Sequence, residues 1–155
     1  MGILQRKSST RFLLSGNEEE MEKALFSAQI DRLPEILEWM RKRLQQKGLN
    51  PKAIRRLELA LEEAIVNVIR HSYRGKEGKI ELALEVDSEE VTVSLKDWGP
   101  PFDPLKGAPP VDSRSCLEER EEGGLGIYLM RKSVDKVVYI RENEANLLRL
   151  TKKML

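Results

Sequence analysis

A single cysteine, Cys116, and a single histidine, His71, stand in a chain of 155 residues. One thiol forms no internal disulfide and no cysteine-based metal centre, which suits a reducing compartment. One imidazole excludes a multi-histidine metal site. Charge of one sign is also lacking: 27 lysines and arginines balance 26 acids and leave a net charge of +1. A dedicated nucleic-acid binder normally carries a clear basic excess, so no direct nucleic-acid partner is expected. No apolar run approaches the length that crosses a bilayer. The opening residues MGILQRKSSTRFLLSGNEEE offer only four apolar or neutral residues before Gln5, so no signal peptide is expected. Ser8 lies beyond the place where a myristoylation signal after Gly2 needs its hydroxyl. These absences together predict a cytoplasmic protein with no membrane partner.

The chain itself has a globular balance, with 34% charged and 40% hydrophobic residues. Its length suggests one domain, large enough to bury roughly two-thirds of its unfolded surface. Residues 1–21 lack sustained periodicity and read as a flexible tail before a domain at 22–155. Lys23 to Ile30, KALFSAQI, reads as a strand. Asp31 and Pro34 then mark a helix entry. Leu33, Ile36, Leu37, Met40 and Leu44 recur at helical spacing, with Trp39 flanking that face and Gly48 stopping the helix. Asn50-Pro51 starts a second helix, expected to run through His71 and to end near Tyr73 to Gly75. Lys79 to Val86 and Val91 to Lys96 alternate apolar and polar residues, which predicts two strands joined by a turn at Asp87 to Glu90. From Asp97 five of the seven prolines crowd into one long loop: Pro100, Pro101, Pro104, Pro109 and Pro110. A loop of that length in a compact domain is usually functional or disordered. Leu125 to Val134 reads as a helix, and Asp135 to Ile140 with Asn146 to Thr151 as a closing hairpin. Short turns between strands imply an α+β fold with a mostly antiparallel sheet and helices on one face.

Three stretches carry possible chemistry. In the second helix, at about 100° per residue, Ile54, Leu57, Leu61, Ala64, Ile65 and Val68 share one apolar face. Glu63, Asn67 and His71 fall four apart along its edge. That column is either a solvated flank or a set of functional groups at the border of a core. Glu122 to Gly126, EGGLG, precedes a helix whose free N–H groups and positive dipole end suit an anion. Purely structural Gly-Gly turns also precede helices, and the stretch is neither a Walker A loop nor a GxGxxG fingerprint. Asp97-Trp98-Gly99 ends a predicted strand. It is either a turn or a place where a carboxylate accepts a hydrogen bond from an exocyclic amine beside room for a flat ring.

Taken in order, a helix with Glu-x-x-x-Asn, a strand ending in Asp-x-Gly, a long loop and a Gly-x-Gly helix start resemble the GHKL (Bergerat) ATP-binding fold. That fold is shared by histidine kinases, type II topoisomerases and Hsp90. Glu63-Ala64-Ile65-Val66-Asn67 with His71-Ser72-Tyr73 is similar to the N-box of bacterial anti-sigma factor serine kinases of the SpoIIAB and RsbW type. The run from Asp97 through Gly99 to Pro104 resembles that group's adenine box. Gly123-Gly124-Leu125-Gly126 with Asp135 downstream resembles its glycine box. The resemblance covers roughly residues 22–154. It implies a two-layer α/β sandwich, with Asn67 giving an oxygen to Mg²⁺ and Glu63 acting as general base on a protein serine. It places His71 in the N-box beside the nucleotide. It also implies that Asp97 binds the adenine amino group over Gly99, that the backbone of Gly123, Gly124, Leu125 and Gly126 meets the phosphates of ATP, and that residues 100–122 form the nucleotide lid. The partners it implies are a sigma factor, a STAS-type anti-anti-sigma protein and a second copy of the chain in a homodimer.

Two positions depart from the pattern. Glu121-Glu122 stands where some members place an arginine facing the terminal phosphate, leaving Arg114 or Arg120 of the lid as candidates. Pro101 replaces the second glycine of the histidine-kinase Asp-x-Gly-x-Gly, which argues against a sensor-kinase fragment, as does the lone His71 within the N-box. Two other readings stand beside the kinase. One is a non-catalytic module of the same fold that binds ATP or a protein partner without phosphotransfer. The other is a self-contained ATPase of the chaperone or topoisomerase kind, disfavoured because no second domain is present to couple hydrolysis to work.

Overall fold

The computed structural model describes residues 8–14, 17–106 and 124–154, with side chains from 21 to 106 and from 126 to 154. The elements run β1 (Ser8–Leu14), β2 (Asn17–Ser27), a 3₁₀ turn (Ile30–Arg32), α1 (Leu33–Gln46) and α2 (Pro51–Asn67) with a π-turn (Val68–Ser72) at its end. β3 (Lys79–Val86), β4 (Glu90–Asp97), α3 (Gly124–Ser133), β5 (Lys136–Glu142) and β6 (Ala145–Lys153) follow. The strands make one six-stranded sheet in the order β1-β2-β3-β4-β6-β5, antiparallel at every described pairing. This is the α+β sandwich the strand pattern predicts.

Alternation decides which side of the sheet is covered. Ala24 and Phe26 of β2, Ile80, Leu82 and Leu84 of β3, Val91, Val93 and Leu95 of β4, and Leu148 and Leu150 of β6 are all buried in one core with α1 and α2. The intervening residues, among them Lys23, Glu81, Lys96 and Arg149, line the opposite side. A period of two thus separates core from solvent in every central strand. On the helical side, Ile36, Met40 and Leu44 of α1 meet Ile54, Leu57, Leu61 and Ile65 of α2 in the same cluster. Asn50 caps α2 by accepting a hydrogen bond from the Lys52 N–H at 2.7 Å, with Pro51 at the first helical position.

Several expectations are corrected. β1 and the first half of β2 run through the stretch expected as a flexible tail. Paired antiparallel from Ser8↔Lys23 to Leu14↔Asn17, they are set by backbone bonding along the edge of β2, which needs no alternation of side chains. The strand expected at 23–30 ends at Ser27, where the chain turns into the 3₁₀ segment. Trp39 does not merely flank its helix: it is 5% exposed, edge-on to Phe26 at 6.0 Å, with Arg43 over its ring at 4.2 Å. The lid residues 107–122, with Arg114, Arg120, Glu121 and Glu122, and Gly123 lie outside the described residues.

The hairpin between β5 and β6 turns where its sequence predicts, at Glu142–Ala145, and both central residues are left-handed: Asn143 at φ 50° and Glu144 at φ 62°. That is the two-residue turn whose twist matches an antiparallel pair, and it favours Asn-Gly. Glutamate gives up stability at the second position because its Cβ crowds the backbone there. Glu144→Gly should therefore stabilise the fold by about 0.5–1 kcal/mol, seen calorimetrically as a melting temperature about 1–4 °C higher. A lower melting temperature would mean that the Glu144 side chain contributes more than its strain costs.

Candidate functional site

The core rows of β4 and β6 each end in a polar residue. Val91, Val93 and Leu95 lead in phase to Asp97, and Leu150 and Leu148 lead to Asn146; the two polar residues face each other across the ladder. Asp97 is 3% exposed and Asn146 4%. A carboxylate this deep requires donors. Oδ1 of Asp97 accepts three hydrogen bonds: from Ser72 Oγ at 2.5 Å, from Asn146 Nδ2 at 2.9 Å and from the Gly99 N–H at 3.0 Å. None of the three falls on Oδ2.

Ser72 reaches Asp97 because α2 does not end as a regular helix. Through Val68–Ser72 the hydrogen bonds lengthen to the i→i+5 pattern, with the Tyr73 N–H bonded to the Val68 carbonyl at 2.9 Å. Such wide turns recur at functional sites. This one drops Ser72 into the core at 2% exposure and leaves His71 exposed. The predicted column is therefore corrected at its third member. Glu63 and Asn67 stay one turn apart, but the extra residue per turn moves His71 aside, where its ring stacks on Phe102 at 5.2 Å and 24°. Ser72 was missed by four-residue spacing, because spacing presumes a uniform helix.

Gly99 does more than leave room for a ring. A Cβ there would collide with the Ser72 hydroxyl and lie 3.0 Å from the Ser72 carbonyl, so glycine is what lets the π-turn close on the end of β4. Tyr73 completes the joint: its hydroxyl donates to the Lys79 carbonyl at 2.6 Å and accepts from the Trp98 N–H at 2.9 Å. Burial pushes that phenol above its ordinary pKa, opposed by the Trp98 hydrogen bond.

Glu63 and Gly126 meet across α2 and α3. A Cβ at Gly126 would stand 2.5 Å from Glu63 Oε2, so the bare glycine lets the carboxylate lie against the first turn of α3. Gly124 opens that helix; the Leu125 side chain is outside the described residues. Burial, with help from Glu62 and against Arg70, raises the Glu63 pKa above its ordinary value. One turn on, Asn67 is 8% exposed and its Nδ2 has no hydrogen-bond partner. Among the described residues no cluster of three or more His, Cys, Asp or Glu side chains exists to hold a metal. A magnesium ion that shares its coordination with phosphates and waters needs only one or two protein oxygens. The carboxamide oxygen of the buried Asn67, one turn from Glu63, is of the type that demand calls for, while the unpartnered atom is the donor Nδ2. Asp135 has a different duty: Oδ2 accepts from the Lys153 N–H at 2.7 Å, which holds its carboxyl below the usual range and ties down the end of β6.

Sequence reading missed Ser72, Tyr139, Arg141 and Asn146. Asn146 had a signal: it is polar at a position in phase with Leu148 and Leu150. None of the described helices is long and apolar enough to cross a membrane.

Residues 26–152 match the family described as Histidine kinase-like ATPase domain. Similar proteins include Serine-protein kinase RsbW of Bacillus licheniformis, 32% identical over 94 residues that make up 58% of this chain and 59% of that protein. Serine/threonine-protein kinase BtrW of Bordetella bronchiseptica is 33% identical over 96 residues, 61% of this chain and 67% of that protein. Serine-protein kinase RsbW of Staphylococcus aureus is 28% identical over 91 residues, 56% and 57% of the two chains. The chain thus spans about three-fifths of the length of the relatives it matches.

The raised pKa of Glu63 makes a signed statement about stability. Below the ordinary value of 4.5 the folded and unfolded chains are both protonated at this group, and it contributes no penalty. As pH rises above that value the folded chain must carry a half-buried charge that the unfolded chain carries in water, so stability falls through the window up to the folded pKa. Glu63→Gln removes the charge. Its melting temperature should exceed that of the wild type at about pH 7.5, with the gap closing toward about pH 4. A gap of the same size at both ends of a pH series of thermal melts would assign the effect to packing instead.

Proposed function

The chain belongs to the Histidine kinase-like ATPase domain family, and from that premise we propose that it is a cytoplasmic, ATP-dependent protein-serine kinase that also acts as an anti-sigma factor. It binds a sigma factor and phosphorylates a small anti-anti-sigma protein of the STAS type, as a homodimer. The observation that carries this reading is the placement of Glu63: a carboxylate against the glycine-lined start of α3, one turn from the buried Asn67. The similarity to a serine-protein kinase and a serine/threonine-protein kinase supports it.

The roles are those that the resemblance to the anti-sigma factor kinases implies, and the geometry supports them. Asp97 takes the adenine amino group at the end of β4, its Oδ1 already fixed by three donors. The start of α3, with Gly124 and Gly126, meets the phosphates through backbone N–H groups and the positive end of the helix. Asn67 would hold Mg²⁺, which would supply neutralisation of phosphate charge. Glu63 accepts the proton of a substrate serine hydroxyl as that oxygen attacks the terminal phosphorus and ADP leaves. A carboxylate whose proton affinity is raised by burial is a better base than an exposed one. Residues 100–122 act as the lid. Catalysis is otherwise positioning and charge neutralisation.

Titration with a fluorescent ADP analogue, first with Mg²⁺ and then with EDTA, tests the nucleotide site: saturable, Mg²⁺-dependent binding is expected. No binding at high micromolar nucleotide would leave a protein-binding scaffold of the same fold. Asp97→Asn turns an acceptor into a donor toward the base and should weaken binding by about 1.5–3 kcal/mol, roughly ten- to hundredfold. An unchanged dissociation constant would sink the adenine assignment. Glu63→Gln should bind nucleotide nearly as wild type and transfer phosphate about 10²–10⁴-fold more slowly. Joint loss of binding and transfer would make Glu63 structural.

A further inference from the structure

One side chain ties together three parts of the site that lie far apart in the sequence. Asn146 stands near the start of β6, beside Asp97. Its Nδ2 donates to Asp97 Oδ1 and to the Pro100 carbonyl, both at 2.9 Å, and to Ser72 Oγ at 3.2 Å. Its Oδ1 accepts from the Tyr139 hydroxyl at 2.5 Å, from the Phe102 N–H at 3.2 Å and from Arg141 Nη1 at 3.3 Å. Both ends of the carboxamide are in use. Pro100 and Phe102 belong to the segment that leaves β4, and Arg141 also donates to the Gly99 carbonyl of that segment at 2.8 Å. The group that holds Asp97 therefore also holds the chain just after it.

We propose that Asn146 is the positioning residue of the base-recognition site: it fixes the Asp97 carboxylate and the Pro100–Phe102 segment together, and is itself held by Tyr139 and Arg141. The inference rests on the adenine reading of Asp97 and deepens it, because Asn146 acts through Asp97 and does not touch the base. The residue type follows from the contacts. Asparagine offers two donor hydrogens toward Asp97 and Pro100 and an acceptor toward Phe102 and Tyr139 in one planar group. A carboxylate would set like charge against Asp97 and donate nothing, while an apolar side chain would take one of three donors from Asp97 and strand the Phe102 N–H. With Asn146 in place Oδ1 is saturated, and Oδ2 is kept as an acceptor for an amino group. Without it only Ser72 and the Gly99 N–H still hold Oδ1, and the carboxylate presents its two oxygens to the ligand less selectively.

The consequence is selectivity at position 6 of the purine. Displacement of a fluorescent ADP analogue by ADP and by inosine diphosphate, which carries an oxo group in place of the amine, measures it. The wild type should prefer ADP by about tenfold or more, because a site built to pair with an N–H rejects the analogue lacking it. Asn146→Ala should cut that preference to about threefold or less while weakening ADP itself about tenfold. Amide hydrogen exchange across residues 99–106 should quicken in the same variant by about tenfold, since those amides lose their anchor. Tyr139→Phe, which deletes one hydroxyl and leaves the core intact, should shift preference and exchange in the same direction by a smaller factor, and it carries the test if Asn146→Ala does not fold. An Asn146→Ala or Tyr139→Phe protein that binds both nucleotides more weakly but keeps the wild-type preference would make the network merely structural and overturn the inference alone. Wild-type protein that binds neither nucleotide would overturn the adenine reading and the inference with it.

Discussion

A buried carboxylate held by three neutral donors sets the terms for this structure. Asp97 sits where the core row of β4 would otherwise continue with an aliphatic side chain, and a charge there is tolerable only if fixed donors replace water. Three come from three places: the π-turn after α2, the backbone two residues on, and the neighbouring strand. Each imposes its own requirement. Ser72 needs the wide turn, the turn needs Gly99 without a Cβ, and Asn146 needs the β5–β6 hairpin to hold its register against β4. Much of what is irregular in the chain, including the left-handed pair at Asn143 and Glu144, lies on the route to satisfying that carboxylate.

How much of this was legible in the sequence depended on whether the signal was periodic. Core strands and helices were, because alternation and 3.6-residue spacing are imposed by burial itself: Val91, Val93 and Leu95 could face only one way. Glu63, Asn67, Asp97, Gly99 and Gly126 were legible as motif residues, and the folded chain brings Glu63 to Gly126 and Ser72 to Asp97 as a shared site requires. β1 was not legible, because an edge strand is held by backbone bonds that leave no mark on side-chain pattern. The position of His71 failed for a different reason. A helix that changes from i→i+4 to i→i+5 bonding shifts every later residue around the axis, and nothing in VIRHS announces the change.

The polar residue in an apolar phase is the one signal that deserved more weight. Asp97 and Asn146 both break a row of core residues at its end, and they prove to be cross-strand partners. A lone polar residue at a core position is costly enough to need a partner, and a second such residue one strand away supplies it. Read as a pair, the two breaks point to a buried polar network and locate the end of the sheet where it lies, although neither break alone distinguishes a site from a turn.

The two groups of residues around Asp97 and around Glu63 stand on different supports. Asp97, Asn146, Tyr139 and Arg141 are held by the sheet, whose ladder runs unbroken from β3 through β4 and β6 to β5. Glu63 and Gly126 are held by the packing of α2 against α3, and Gly126 belongs to the helix that follows the long proline-rich stretch. The first turn of α3 meets Glu63 without touching the donors around Asp97. The π-turn links the two, since Asn67 immediately precedes it and Ser72 ends it. The donors around Asp97 are thus set by the strand ladder, while the approach of Glu63 to α3 is set by one helix–helix contact at a residue without a side chain.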